Sequence, residues 1–240
     1  ITVLGMGEKW RGFKMKYELV YDYIKNKSDD DIVIFLDGYD SEIKIDPDKA
    51  YNIFKERKYK FLASLEPASV KNRNNFLVRF GTILNFSTCK DGYTINSGLY
   101  MGYVRYVKTF LEEALNGKCQ DDQRLMNEKC RLLDFIDVDN EEEIFQNIYD
   151  KSMINFISPT IKYNNKAVFV SYPGNLNISR FSRAVFDYTQ FFLKYIILGY
   201  ILSIMLVVFL NDSKNTRFIW ILSLTLILII WLANADYSCI

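Results

Sequence analysis

Apolar side chains recur along most of this chain with helical and strand periods in turn. Over residues 14–24, Met15, Leu19, Val20, Tyr23 and Ile24 share one helical face. The polar run Ser28-Asp29-Asp30-Asp31 ends that pattern. Ile32-Val33-Ile34-Phe35-Leu36 is then continuously apolar and rich in β-branched residues. Such a run predicts a strand buried on both faces, as in a largely parallel sheet. A helix over 50–58 and a strand over 60–65 follow. Glu66-Pro67 closes that strand; Glu66 reads as reaching a ligand or as solvated, and solvent is the favoured expectation. Within 93–103 the polar Asn96-Ser97-Gly98 lies between apolar segments and predicts a turn. Gly98 there suits a close backbone approach or a bulge.

Helical spacing returns at Val104, Val107, Phe110, Leu111, Ala114 and Leu115, and Asn116-Gly117 supplies the stop. Asp121-Asp122-Gln123 opens a further helix that turns Leu125, Met126, Leu132 and Leu133 inward. Short strands are predicted at 1–4, 84–88, 135–138, 144–148 and 167–170. Strands alternating with helices predict an α/β fold.

The tail has a different pattern. Residues 191–210 are almost uninterrupted apolar sequence, with Lys194 near the end, where it can snorkel. A second run covers 218–233, with Trp220 and Trp231 near its ends. At about 1.5 Å per residue, each run reaches across or nearly across a hydrocarbon core of about 30 Å. The expected organisation is a domain over 1–178, a linker over 179–190 and a membrane-spanning helical hairpin over 191–240, with spans of about 191–210 and 218–235. This makes the chain an integral membrane protein with the lipid bilayer as a partner. The side stays open between an endomembrane lumen and a cytosolic, virus-factory-like face. Arg180, Arg183, Lys194, Lys214 and Arg217 lean only slightly toward the cytosol, and the sequons at Asn26, Asn85 and Asn177 do not settle it. The first residue is Ile1 rather than Met, and the chain is expected to be a fragment.

Charge and composition narrow the chemistry. A net charge of +1 gives no field for nucleic acid, and none is expected as a partner. The chain has no histidine, which excludes imidazole catalysis and His-ligated zinc. Cys89, Cys119, Cys130 and Cys239 lack CxxC spacing. A Cys119–Cys130 disulfide and free buried thiols both remain open. Asp37 and Asp40 follow the 32–36 strand, where ligands bind in open α/β sheets; the pair reads as a metal site or as turn chemistry. Asp121 and Asp122 read either as ordinary helix-start residues or as a carboxylate pair aimed into a site.

Several segments together carry a resemblance. Val3-Leu4-Gly5-Met6-Gly7-Glu8-Lys9-Trp10-Arg11-Gly12 is followed by Phe35-Leu36-Asp37-Gly38-Tyr39-Asp40. Ile95-Asn96-Ser97-Gly98, Met101-Gly102, Asp121-Asp122-Gln123 and Ile144-Phe145-Gln146-Asn147 come next, in that order. In these segments, residues 3–177 resemble the glycosyltransferase domain of procollagen lysyl hydroxylases and, more distantly, procollagen galactosyltransferases. The tail from about Ser179 has no counterpart in the resemblance.

The resemblance implies a GT-A fold, a UDP-sugar donor and Mn²⁺ or Mg²⁺. It implies metal ligation by Asp37 and Asp40, with Ser171 standing where the family has its third ligand, a histidine. It implies Trp10 near the uracil, Lys14 at a family lysine, and Asn96, Ser97, Gly98 and Gly174 around the donor. Asp121 and Asp122 match a carboxylate pair near the transferred sugar. A family lysine is replaced near Asn177, and the family's first strand would precede Ile1. The implied activity moves glucose or galactose from a UDP-hexose to a hydroxylysine-type protein side chain or a glycan acceptor. The departures leave a second reading open, a catalytically degenerate binding or scaffold module on the same fold.

Overall fold

Ile95–Tyr103, called β4, is the strand around which the first part of the chain is assembled. The structure, a computed structural model, describes residues 1–67, 82–83, 86–148, 162–173, 189–210, 213–234 and 239. Gly174, Asn177 and most of the 179–190 linker lie outside the described residues. The chain divides into two compact units, Ile1–Leu176 and Asn177–Ile240.

In the first unit, α1 (Met15–Ile24) leads to β1 (Ile32–Leu36), then β2 (Ser41–Ile43) and α2 (Pro47–Glu56). Asp46 caps α2 by accepting from the Asp48 N–H, and Pro47 sits where a missing N–H costs nothing. β3 (Phe61–Leu65) precedes β4, which runs directly into α3 (Val104–Leu115). α4 (Asp122–Leu132), β5 (Ile136–Val138), β6 (Phe145–Asn147) and β7 (Phe169–Ser171) complete the unit. One sheet has the order β1-β4-β3-β5 and the other β2-β7-β6. The first sheet's core side holds Phe54, Leu62, Leu99 and Met101 against Phe145 and Phe169. Elsewhere Tyr100 stacks between Phe35 and Phe61, with ring centroids 4.8 and 5.4 Å away.

The fold is α/β, but the sheet is not largely parallel. β4 pairs antiparallel with both β1 and β3, and only β3–β5 is parallel in that sheet. β1 is an edge strand, and Ile34 is 37 % exposed. A continuous apolar run is compatible with one-sided burial, and here the positions between two partners belong to β4 and β3. Asn96-Ser97-Gly98 is not a turn but part of β4. Its irregularity appears as a register shift: Ala63 pairs with Tyr100 while Ser64 pairs with Asn96. That is the bulge Gly98 suits.

Other expectations change as well. Residues 1–4 form no strand. Residues 84–85 lie outside the described set, and the described residues 86–88 form no strand. The buried face of α1 is Met15, Tyr17, Val20 and Ile24, with Tyr23 exposed. Tyr17 packs edge-on against Phe110 at 5.3 Å, which draws that side of the helix inward. Leu132 is 73 % exposed, because α4 ends there and its inward face is Leu125, Met126 and Cys130. Cys130 is disulfide-bonded to Cys89, not to Cys119.

The second unit contains α5 (Thr189–Leu210) and α6 (Lys214–Asn234). Lys214–Ala233, 20 residues of mean hydropathy 2.1 with none buried, is long and apolar enough to cross a membrane. Leu193–Phe209 is apolar but shorter. The Tyr200 and Thr225 hydroxyls hydrogen-bond between the two helices.

Asn127 fastens α4 to β4. It is fully buried; its Oδ1 accepts from Ile95 N–H at 2.7 Å and its Nδ2 donates to the Ile95 carbonyl at 3.0 Å. Asn127→Leu keeps the number of side-chain heavy atoms and leaves both Ile95 backbone groups without these partners. A loss of roughly 2–4 kcal/mol is expected in denaturant unfolding of the full chain.

Candidate functional site

The residues that follow β1 are held to the bulge of β4. Asp37 N–H donates to the Gly98 carbonyl at 2.9 Å. A Cβ on Gly98 would lie 3.0 Å from Asn96 Oδ1 and 3.4 Å from Asp37 Oδ2, so a larger residue would make those side chains give way, and glycine suits this close approach. Three residues on, Asp40 is fixed from a different direction. Its carbonyl accepts from Tyr172 N–H at 2.8 Å, and the neighbouring Ser41 pairs with Ser171 across β2 and β7. Sheet register therefore brings Ser171, 131 positions later in the chain, beside Asp40, where its hydroxyl favours the charged carboxylate.

Burial, together with the charge of Asp37, raises the Asp40 pKa; Lys16 and the Ser171 hydroxyl oppose that. Asp40 Oδ1 is buried with no hydrogen-bond partner among the described residues. A half-buried carboxylate with an unfilled acceptor, beside a second carboxylate, is an environment that fits a cation. Among the described residues no group of three or more His, Cys, Asp or Glu side chains forms a metal cluster. The candidate donors here are two carboxylates, Asp37 and Asp40, and the Ser171 hydroxyl. Hard oxygen donors suit Mn²⁺ or Mg²⁺.

α4 brings the second carboxylate pair, and its two members do different work. Asp121 is the helix cap, accepting from Arg124 N–H at 2.7 Å. Burial, and then the Asp122 charge, push its pKa up. Asp122 points the other way. Its Oδ2 accepts from Ser97 Oγ at 2.7 Å and meets Lys16 Nζ at 2.6 Å. Its backbone carbonyl accepts from the buried Tyr17 hydroxyl at 2.7 Å. Lys16 Nζ also reaches Asp37 Oδ2 at 3.1 Å. Burial works against the charge on Lys16, yet Asp122 and Asp37 outweigh it and raise the lysine's pKa. The ammonium thereby joins the strand-end carboxylate to the helix-start carboxylate.

Glu66 belongs to the same polar network and is not in solvent. It is 3 % exposed, and its Oε2 accepts from Asn96 Nδ2 at 3.0 Å and Gln123 Nε2 at 2.8 Å. Asn96 Oδ1 in turn accepts from Gly98 N–H at 2.9 Å. Burial pushes the Glu66 carboxyl up to about 7, against the pull of those two amides.

The structure thus brings Asp37, Asp40, Ser171, Asp122, Ser97, Asn96 and Gly98 to one region, with Asp121 capping the helix beside it. Trp10 is exposed in its loop, edge-on to Phe13 at 5.6 Å. Lys14 does not reach the carboxylates; its Nζ donates to the Gly117 carbonyl. Gly174 lies outside the described residues. Lys16, Glu66 and Gln123 are the members that sequence reasoning missed. Lys16 had one signal: it lies between Met15 and Tyr17 on the buried side of α1, about 200° around the helix from Lys14.

A family model described as the PLOD GT domain matches residues 1–171. No curated protein matches the chain. The matched segment contains all the described residues of this site.

Glu66 makes stability depend on pH. Its folded pKa of about 7 exceeds the ordinary 4.5, so the folded chain binds this proton more tightly than the unfolded one. The contribution is fully present below the ordinary carboxylate range and is lost as pH rises through about 7. Glu66→Gln removes that slope. Relative to the unmodified chain, the variant is expected to gain roughly 1–3 kcal/mol on going from about pH 4 to about pH 8, read by thermal unfolding at both.

Proposed function

The chain belongs to the PLOD glycosyltransferase-domain family, and from that premise we propose that it transfers a hexose from a UDP-sugar to an acceptor hydroxyl. The sugar is glucose or galactose, and the acceptor a hydroxylysine-type protein side chain or a glycan already on it. The fold in this reading is GT-A. The observation that carries the reading is the convergence, around Lys16, of the strand-end Asp37–Asp40 pair and the helix-start Asp122.

Asp37, Asp40 and Ser171 would hold the divalent cation, Mn²⁺ or Mg²⁺. A bound cation supplies neutralisation of the charge that develops on the UDP leaving group. The chain's own residues do the rest. Asp122, paired with Lys16 and oriented by Ser97, would accept a hydrogen bond from an acceptor hydroxyl or stabilise positive charge on the sugar ring. Asn96 and Gly98 shape the wall between Glu66 and Asp37, and the exposed indole of Trp10 offers a surface for a base. Asp121, whose side chain already caps α4, supports Asp122 from behind.

The second unit anchors this activity to a bilayer. Lys214–Ala233 supports one span, and α5 would be the other arm of the hairpin. A second reading, a GT-A module that binds without catalysis, draws support from Ser171, a weaker ligand than histidine, and from Asp37 already having Lys16 as a counter-ion.

The test is UDP release from UDP-glucose and UDP-galactose by the full chain with Mn²⁺. Turnover is expected, and Asp37→Ala is expected to lower it by roughly a hundredfold or more. Turnover unaffected by Asp37→Ala would remove that carboxylate from the mechanism. Metal-dependent UDP binding with no turnover would favour the second reading.

A further inference from the structure

Lys16 makes two contacts of unequal character. Its bond to Asp122 is 2.6 Å, and the Asp122 side chain is 6 % exposed. Asp122 is also held by Ser97 Oγ and sits in the first turn of α4, whose cap and backbone bonds fix it. Its bond to Asp37 is 3.1 Å, and the Asp37 side chain is 35 % exposed. Asp37 follows the end of an edge strand; its backbone N–H is tied to the Gly98 carbonyl, while its carboxylate stays partly open to solvent. The first contact is therefore the lasting one, and the second is the one that can be exchanged.

We infer that Lys16 is a built-in counter-ion that competes with the divalent cation for Asp37 and turns to the nucleotide's diphosphate when that cation binds. This rests on the metal reading of Asp37 and Asp40 given above. The ammonium meets Asp37 Oδ2, while Asp40 keeps a buried oxygen with no partner among the described residues. A dication entering between those carboxylates takes a share of Asp37 and repels the nearby ammonium. Bare cation binding is therefore weakened by Lys16. A diphosphate changes the sign of that interaction, because it gives the displaced ammonium a new anionic partner at close range. Cation and nucleotide must then each tighten the other by the same factor.

A merely structural lysine makes no such prediction, since its loss would loosen every ligand. The experiment is a Mn²⁺ titration of the full chain, followed by the paramagnetic resonance of free Mn²⁺, with and without UDP. In the unmodified chain, UDP is expected to tighten Mn²⁺ at least about fivefold. Lys16→Arg, which keeps the charge, is expected to retain that coupling. Lys16→Met is expected to bind bare Mn²⁺ several-fold more tightly than the unmodified chain and to lose most of the enhancement by UDP. If Lys16→Met does not fold, Lys16→Gln takes its place, keeping an amide donor for the carboxylates without the charge.

Absence of coupling in the unmodified chain overturns the inference by itself, whatever the variants do. So does a Lys16→Met or Lys16→Gln variant with unchanged or weaker affinity for bare Mn²⁺. Failure of the unmodified chain to bind Mn²⁺ in either condition overturns the metal reading, and the inference falls with it. That outcome is distinct from binding without coupling, which leaves the metal reading standing.

Discussion

Carboxylates taken out of water must find a positive or donating partner, and in this chain much of that demand falls on Lys16. Asp37 and Asp122 arrive on a strand end and a helix start, and neither element brings a cation of its own to the meeting point. The lysine stands on α1, which is itself drawn inward by the buried ring of Tyr17. Packing of one aromatic residue thus positions the neighbouring charge. The same tyrosine hydroxyl reaches the Asp122 carbonyl, so the apolar and polar halves of α1 are joined to the same turn of α4. Where donors fall short, as at Asp40, the result is a carboxylate whose proton affinity is raised and whose free oxygen can receive a ligand.

β4 is the mechanical counterpart of that electrostatic arrangement. It lies between β1 and β3, leads straight into α3, and is fastened to α4 through Asn127. Its register shift falls at the polar Asn96-Ser97-Gly98, so the irregular stretch of the strand is also the stretch that meets Glu66, Asp122 and Asp37. A regular ladder there would project alternate side chains to opposite faces. The bulge lets consecutive residues serve one region, at the cost of local pairing.

Membership of the PLOD glycosyltransferase-domain family and these contacts bear on different questions. The family assigns a class of chemistry to residues 1–171. The contacts describe this chain's own site, above all the Ser171 hydroxyl beside Asp40 and a lysine seated on Asp37. The apolar helix Lys214–Ala233 lies beyond the matched segment and adds a feature with separate physical grounds.

Local order was legible in the sequence because it depends on near neighbours. Helical spacing marked α1, α3 and α4, a β-branched run marked β1, a short apolar run marked β3, and unbroken apolar length marked the tail. The Asp37–Asp40 motif and the Asp121 cap were legible for the same reason. The tertiary structure alone decided which strand is central, which lysine faces the acids, which cysteine Cys130 meets, and that Glu66 is buried. Those outcomes are pairings across long separations, 21 residues for Lys16 with Asp37 and 57 for Gln123 with Glu66. No period along the chain encodes them, because they follow from sheet order and register, which arise only when distant segments compete for the same partners.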